Sequence, residues 1–469
     1  MANSRKSPSL NKDASAPAAF ERALGTLLAR VSVCAPGIQP SIAVAYSGGL
    51  DSSLLLHLVS QYAAPRGIPV RAFHIHHGLS PNADVWVAHC QAEAARCGFA
   101  FSAARVAVDS NDKRGLEEAA RIARYNALGD LCRQFGVPLL LTAHHQDDQA
   151  ETVLLQLMRG AGLPGLSGMA AFQARHDLLG AGVALGRPLL AISRSALEHA
   201  VVQLGLRHIG DESNADIRFR RNALRNQISP VIETHFPGFA PQVARAAMHA
   251  QSAQTLLHDL AMIDLAQCRA DPQDAALDLS RMRLLSAERV DNLLRHWLYQ
   301  HKVQMPSTAR LDEIRAQMLG GASDMHPFFD FGTVTLHRIA NRLELHPNLG
   351  TPPEEVLALQ WQGESGIDVP QWHGRLVFDS TAGPGLDAGV LRSTPLMLAP
   401  RSGQERLKIA VNRPSKSLKS LFQESEIASW QRQWLPLAYL KTELVFVAGL
   451  GMDVRHLTPG IGITLRWVR

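Results

Sequence analysis

Between residues 41 and 204 the chain alternates short apolar runs with longer segments of helical spacing, and few folds tolerate that alternation. Ser41–Tyr46 reads S-I-A-V-A-Y, a run suited to a strand buried on both faces. Val70–His76, Ala103–Val108 and Val137–Thr142 have the same character, and Val183–Leu185 starts a fifth strand. Between them, Leu54–Val59, Val85–Cys97, Leu116–Gln134, Gln146–Arg159 and Ser195–Leu204 carry helical patterns. Strand and helix in strict turn predict an α/β fold built on a doubly wound parallel sheet.

The pattern changes near Gly238. Residues 240–320 are rich in Ala, Leu, Gln and Arg at helical spacing, and Thr333–Ile339 with Arg342–Leu345 read as a closing hairpin. Residues 347–390 are Pro- and Gly-rich, and 391–469 mix a basic loop, a short helix (Ser417–Gln423) and apolar strands such as Leu444–Ala448. The expected organisation is therefore a disordered segment over 1–22 and an α/β domain over 23–237. A mostly helical domain over 238–346, a linker or irregular β segment over 347–390 and a small α+β domain over 391–469 follow.

Ser47-Gly48-Gly49-Leu50-Asp51-Ser52 follows the first strand and opens a helix. Two glycines let the backbone turn tightly against a ligand, and the N–H groups at the helix start favour an anion. Ser47 and Ser52 add hydroxyls, and Asp51 is placed to help hold Mg²⁺ beside a phosphate. No Gly-Lys-Ser/Thr ending is present, so this is not a Walker A loop. It resembles the S-G-G-x-D-S PP-loop of ATP pyrophosphatases, which release pyrophosphate and pass AMP to a substrate oxygen. An ordinary glycine turn with a Ser/Asp cap is the plainer alternative.

Three further blocks lie in the same domain. His74-Ile75-His76-His77-Gly78-Leu79-Ser80 ends the second strand, where side chains face the ligand crevice. The imidazoles alternate faces there, which argues against one metal ion. Thr142-Ala143-His144-His145-Gln146-Asp147-Asp148-Gln149-Ala150-Glu151-Thr152 runs from a strand end into a helix, with Asp148 and Glu151 on one face. Those carboxylates could hold an amino-acid ammonium, activate an amine, bind Mg²⁺ or simply cap the helix. In Gly115–Tyr125, Arg121 and Arg124 either reach phosphates or pair with Glu117 and Glu118.

Together these blocks resemble the tRNA(Ile)-lysidine synthase family. The likeness continues through Arg159-Gly160-Ala161-Gly162, Gly165–Met169, Arg187-Pro188-Leu189-Leu190, Asp211-Glu212-Ser213-Asn214 and Arg221-Asn222-Ala223-Leu224-Arg225. Phe219 stands where many members carry tyrosine. At the far end, Arg401, Arg406, Lys416, Lys419 and Arg432 resemble the family's tRNA-binding domain. The resemblance implies a Rossmann-type, adenine nucleotide alpha hydrolase-like sheet, with ATP, Mg²⁺, L-lysine and a tRNA(Ile) with a CAU anticodon as partners. It implies a ligase that adenylates the wobble cytidine, joins lysine to its C2 and so changes codon reading from AUG to AUA. Ser47, Gly48, Gly49, Leu50, Asp51, Ser52, His74, Arg124, His144 and Arg187 are then expected around ATP, with Asp51 on the metal. Asp51, Asp148 and Glu151 are the expected catalytic residues, the latter two on lysine. Arg221, Asn222, Arg225, Arg401, Arg406, Lys416 and Lys419 are expected on lysine or tRNA. A PP-loop tRNA thiolase or another adenylating ligase is the alternative.

Charge and composition fit an RNA partner. The formal net charge is +5, and Arg401–Lys419 alone carries six basic residues against Glu405. Arg218, Arg220, Arg221 and Arg225 form a second basic cluster. The five cysteines include no C-x-x-C pair, which disfavours a zinc knuckle, a disulfide framework and sulfur transfer and suits a reducing cytoplasm. No apolar run of about 18 residues is present, so no membrane span is expected. A homodimer is compatible with all of this.

Overall fold

The computed structural model describes residues 16–469 except 35, 38, 79–81, 109–114, 211–215, 272–273, 321–326 and 426. Leu79, Ser80 and the Asp211–Asn214 motif lie outside the described residues. The chain divides into two units, one ending at His258 and one beginning at Asp259.

The first unit opens with α1 (Ala16–Cys34), whose Ala16, Phe20, Leu24, Leu27 and Val31 recur at helical spacing and are buried. Residues 16–22, expected in a disordered segment, are therefore helical, because Phe20 supplies an apolar anchor that the polar composition around it hides. Then come β1 (Ile42–Ala45), α2 (Leu50–Ala63), β2 (Val70–His76), α3 (Ala83–Arg96) and β3 (Ala100–Arg105). They are followed by α4 (Leu116–Gln134), β4 (Leu139–Leu141), α5 (Gln146–Met158) and α6 (Leu163–Leu166). The strands β5 (Phe172–Gln173) and β6 (Ala184–Gly186) and the helix α7 (Arg194–Leu204) complete the sheet layer. The sheet order is β3-β2-β1-β4-β6-β5, parallel except for the edge strand β5, which the sequence did not announce. β3 lies three residues before its expected position.

Strand residues alternate between two cores, as the period of two requires. Ile42, Val44, Leu139 and Leu141 pack with α1, α2 and α7, whereas Ala43, Phe73, Leu140 and Leu185 pack with α4. Helices on both faces make the sheet doubly wound. The chain runs from β1 to β2 on one side and returns as β4 on the other. The carboxyl ends of β1 and β4 therefore flank the switch point where such sheets open a crevice. Beyond α7, α8 (Arg220–Ala223), a π-helical turn (Leu224–Ile228) and α9 (Ser229–His235) follow one another. Pro230 has no N–H for the carbonyl of Asn226, which accounts for the widened turn just before it. The long α10 (Phe239–Cys268) leads onward.

The second unit begins within α10. The middle is mostly helical, as expected, and it also contains a four-stranded antiparallel sheet, β7-β10-β9-β8. Its strands are β7 (Leu277–Asp278), β8 (Phe328–Asp330), β9 (Val334–Ile339) and β10 (Arg342–Pro347), and the β9–β10 hairpin falls where expected. The helices α11 (Leu279–Met282), α12 (Ala287–Gln300) and α13 (Thr308–Gly320) share its core around Trp297, Leu298, Ile314 and Leu343.

Of the two readings of 347–390, linker or irregular β segment, the β one holds. The segment contains β11 (Leu357–Leu359), β12 (Gly366–Val369) and β13 (Gly374–Thr381), and Trp361, Trp372, Leu376 and Phe378 are core residues. Its prolines and glycines are turns between short strands. The rest comprises α14 (Ala388–Ser393), β14 (Leu396–Ala399), β15 (Arg406–Leu407), β16 (Lys416–Ser417), α15 (Leu418–Glu424) and α16 (Ser429–Arg432). The last strands are β17 (Leu437–Leu440), β18 (Glu443–Val447), β19 (Gly451–Met452) and β20 (Gly462–Val468). They form sheets in the orders β11-β14-β17-β18-β19 and β12-β13-β20, so β13 pairs with the last strand of the chain. Among the described residues no helix is long and apolar enough to cross a membrane.

Candidate active site

The β1–α2 turn is shaped by close packing. Gly48 has φ +87°, and a Cβ there would meet Ile209 Cδ1 at 2.7 Å and Cys90 Sγ at 2.9 Å. The Ile209 N–H donates to the Gly48 carbonyl at 2.8 Å. Gly49 is the N-cap of α2 with no side chain to satisfy the free N–H groups. The hydroxyls brace the turn: Ser52 donates to the Gly49 carbonyl at 3.0 Å, Ser53 to the Gly48 carbonyl at 3.2 Å, and Ser47 Oγ lies 3.1 Å from Ser52 Oγ. The first N–H groups of α2 thus stay open to an anion. Leu50 begins the helix and packs against the core.

Asp51, in the first turn of α2, has Oδ1 buried with no hydrogen-bond partner. Burial raises its pKa, with Asp148 adding to the rise and His145, Arg194 and Arg225 opposing it. At the end of β2, His74 Nδ1 lies 2.9 Å from the Tyr46 carbonyl, and burial lowers its pKa. His74 therefore ties the ends of β1 and β2 together as a neutral ring. His76 faces Asp84 at 3.4 Å.

The block after β4 supplies the other side of the crevice. Thr142 Oγ1 lies 2.9 Å from His144 Nδ1. The His144 pKa falls to about 3, chiefly through burial, with Arg187, Arg221 and Arg124 pushing the same way against Asp148. Three guanidiniums therefore converge around a neutral imidazole. Arg187 is buried; its Nη1 donates to the Ala170 carbonyl at 2.6 Å, and its Nε has no partner. Arg124 makes no ion pair with any described carboxylate, whereas Arg121 pairs with Glu118 at 3.1 Å. Of the two arginines of α4, Arg121 thus takes the intrahelical pairing.

Asp148 and Glu151 are buried on one face of α5, and Arg221 and Arg225 reach both. Arg221 Nε donates to Glu151 Oε2 at 2.8 Å and Nη2 to Asp148 Oδ1 at 3.2 Å. Arg225 Nε donates to Glu151 Oε1 at 2.6 Å and Nη2 to Asp148 Oδ1 at 2.7 Å. Burial acts to raise the Asp148 pKa, but His145, Arg221, His144 and Arg225 outweigh it and hold it at about 2. Asn222, between the two arginines, donates to the Asp216 carbonyl at 3.0 Å.

Sequence reasoning passed over two participants. His145, beside the expected His144, is the N-cap of α5 and closes a reciprocal capping box with Asp148. A polar residue three positions before an acid at a helix start was the available signal. Ile209, which covers Gly48, lies in an irregular stretch and carried no pattern.

The basic residues near the C-terminus belong to the second unit. Arg401 and Arg432 lie over the ring of Phe422 and line a hollow of about 450 Å³ with Thr351, Pro352, Pro353 and Glu354. Arg406 is exposed and bonds the Ser415 carbonyl at 2.5 Å. Lys416 is engaged by Glu424 at 2.7 Å, and Lys419 is exposed.

Known proteins match this sequence along nearly the whole chain. Residues 20–232 match the PP-loop domain, 277–344 the TilS substrate binding domain and 396–467 the TilS substrate C-terminal domain. The tRNA(Ile)-lysidine synthase of Ralstonia nicotianae is 40% identical over 453 residues, covering 94% of this chain and 96% of that protein. That of Burkholderia pseudomallei is 41% identical, covering 88% and 89%, and that of Coxiella burnetii 36%, covering 87% and 88%. Among solved structures, a U34-tRNA thiolase from Methanococcus maripaludis has a TM-score of 0.41 at 16% identity, over 49% of this chain and 77% of that one. With a PP-loop at the switch point of its sheet and relatives this similar over almost their full lengths, the chain belongs to the tRNA(Ile)-lysidine synthase family.

Proposed function

We propose that the crevice between β1 and β4 carries out both halves of lysidine formation, with the α2 turn serving ATP and the α5 face serving L-lysine. The carrying observation is their adjacency: Asp51 on α2 and Asp148 on α5 flank one buried imidazole, His145. In the first half, O2 of the wobble cytidine of tRNA(Ile) attacks the α-phosphorus and pyrophosphate leaves. The uncapped N–H groups of α2, with Ser47 and Ser52, receive the charge that develops on the leaving group. Arg124 and Arg187, around neutral His144, are cations suited to further phosphate oxygens. The orphaned Asp51 Oδ1 fits a hard cation, so Asp51 would hold Mg²⁺, which when bound supplies positive charge to the leaving pyrophosphate.

In the second half, the neutral ε-amine of lysine attacks C2, AMP departs and the amine gives up a proton. Asp148 and Glu151 are suited to a lysine ammonium. Arg221 and Arg225 already hold both aligned and keep Asp148 ionised, so an incoming ammonium exchanges for a guanidinium. Arg401, Arg406 and Lys419 supply basic surface for the tRNA backbone. The five free cysteines suit a reducing cytoplasm. An apolar hollow lined by Ile232, Phe236, Phe239 and Val243 offers a surface for a homodimer.

A thiolase reading gains nothing here. Burial pushes the Cys90 and Cys132 thiols up to about 12 and Cys268 to about 11, away from reactive thiolate. The deciding experiment incubates the protein with labelled lysine, ATP and CAU-anticodon tRNA and analyses the RNA by mass spectrometry. Addition of lysine to the wobble cytidine with release of AMP and pyrophosphate is expected. ATP cut to ADP, or RNA that gains no lysine, excludes the reading.

A further inference from the structure

We infer that His145 is a positioning residue: its Nε2–H stands between the nucleotide-side carboxylate Asp51 and the amine-side carboxylate Asp148. The inference rests on the proposed function. His145 is among the most buried polar side chains, 1% exposed. It occupies the N-cap of α5, where Asn, Asp or Ser is the usual choice. Its ring Nδ1 accepts the Asp148 backbone N–H at 3.4 Å while the His145 backbone N–H donates to Asp148 Oδ2 at 3.1 Å. A shorter polar side chain would cap the helix at least as well, so capping does not explain an imidazole.

The second ring nitrogen does. Because Nδ1 accepts a hydrogen bond, the ring proton lies on Nε2. That N–H is buried and makes no hydrogen bond. It lies 3.3 Å from Asp148 Oδ2 and 3.8 Å from Asp51 Oδ2, and Asp51 Oδ1 is likewise buried and unpartnered. Asp147 Oδ2 lies near Nδ1 at 3.7 Å, but it accepts the Arg194 N–H at 2.8 Å. The N–H is thus presented between the two carboxylates, within ion-pair distance of each. The residue that caps the lysine-side helix thereby also faces the carboxylate of the nucleotide turn. Its proton sets the spacing of two acids on different helices, α2 and α5, that serve successive steps.

The two functions of the ring can be separated. His145→Asn retains an acceptor near Nδ1 and so the cap, but loses the distal donor. His145→Gln places an amide N–H near Nε2 and weakens the cap. The full-length variants are compared by melting temperature, by pyrophosphate release with tRNA and ATP, and by lysine-dependent AMP release. The linking role predicts that Asn melts at or above Gln, yet turns over at least tenfold more slowly than wild type and more slowly than Gln. Asn turnover equal to or above that of Gln, or within twofold of wild type, overturns the inference and leaves only a cap. If the wild-type protein itself attaches no lysine to tRNA, it is the functional reading that fails.

Discussion

Gly48 and Gly49 are adjacent in one motif, but the fold constrains them differently. Gly48 combines a positive φ with a site closed by Ile209 and Cys90, whereas Gly49 is extended and has only ordinary contact available. Gly48→Ala is therefore expected to cost at least roughly 1–2 kcal/mol in urea unfolding from its backbone conformation alone. Gly49→Ala should leave stability nearly unchanged, and equal losses at both positions would contradict the geometry. Asp148 gives a pH signature. Its folded pKa of about 2 lies below the ordinary 3.8, so its ion pairs contribute fully above the higher value and are lost as pH falls through the lower. Asp148→Asn should flatten the acid side of a stability–pH curve between those values; an unaltered acid limb would show that the pairs contribute nothing. At this scale the motif residues were legible, because backbone freedom, charge and hydroxyls are properties of single residues. That Arg221 and Arg225 clasp Asp148 and Glu151 was not, since roughly seventy positions separate the partners.

Elements were legible where one period dominates. Val70–His76 and Leu116–Gln134 have the limits their patterns gave, because each element is long and bounded by turn residues. α1 was partly obscured by polar neighbours, yet it covers one face of the sheet. Phe20→Ala should lower stability by about 3–5 kcal/mol through the cavity it leaves, measured by denaturant unfolding. A loss under about 1 kcal/mol would mean that α1 is not a core element. In the basic C-terminal segment, charge was legible and pairing was not. Lys419→Gln and Arg401→Gln should each reduce the salt slope of tRNA binding by about 1. Lys416→Gln combined with Glu424→Gln removes an ion pair at constant net charge and should leave that slope unchanged.

Across the whole molecule, packing between β-rich parts is the feature that local pattern conceals. Within the second unit, the ring of Trp430 on α16 stacks on His337 of β9 and lies tilted against His346 of β10, each at 4.5 Å between centroids. Burial, with His346 adding to it, lowers the His337 pKa to about 4 from an ordinary 6.5. The ring therefore stays neutral in the fold while the unfolded chain takes up a proton, and this contact loses stability as pH falls from 6.5 towards 4. Trp430→Ala should split the melting of the second unit into two transitions and remove that part of the pH dependence. A single transition at the wild-type temperature would show that the contact carries no load.

By itself, the amino-acid order determined the α/β class, the place of the nucleotide turn, the acidic helix beside it and an RNA-sized excess of positive charge. Each of these is written in neighbouring residues, through the periods of strand and helix, the freedom of glycine and the dipole of a helix start. Tertiary structure alone decided that residues 347–390 are core β-structure, that Arg221 and Arg225 neutralise the α5 carboxylates, and that His145 stands between Asp51 and Asp148. Those outcomes depend on which distant segments become neighbours, and that is settled only when the whole chain buries its apolar surface and pairs its buried charges together.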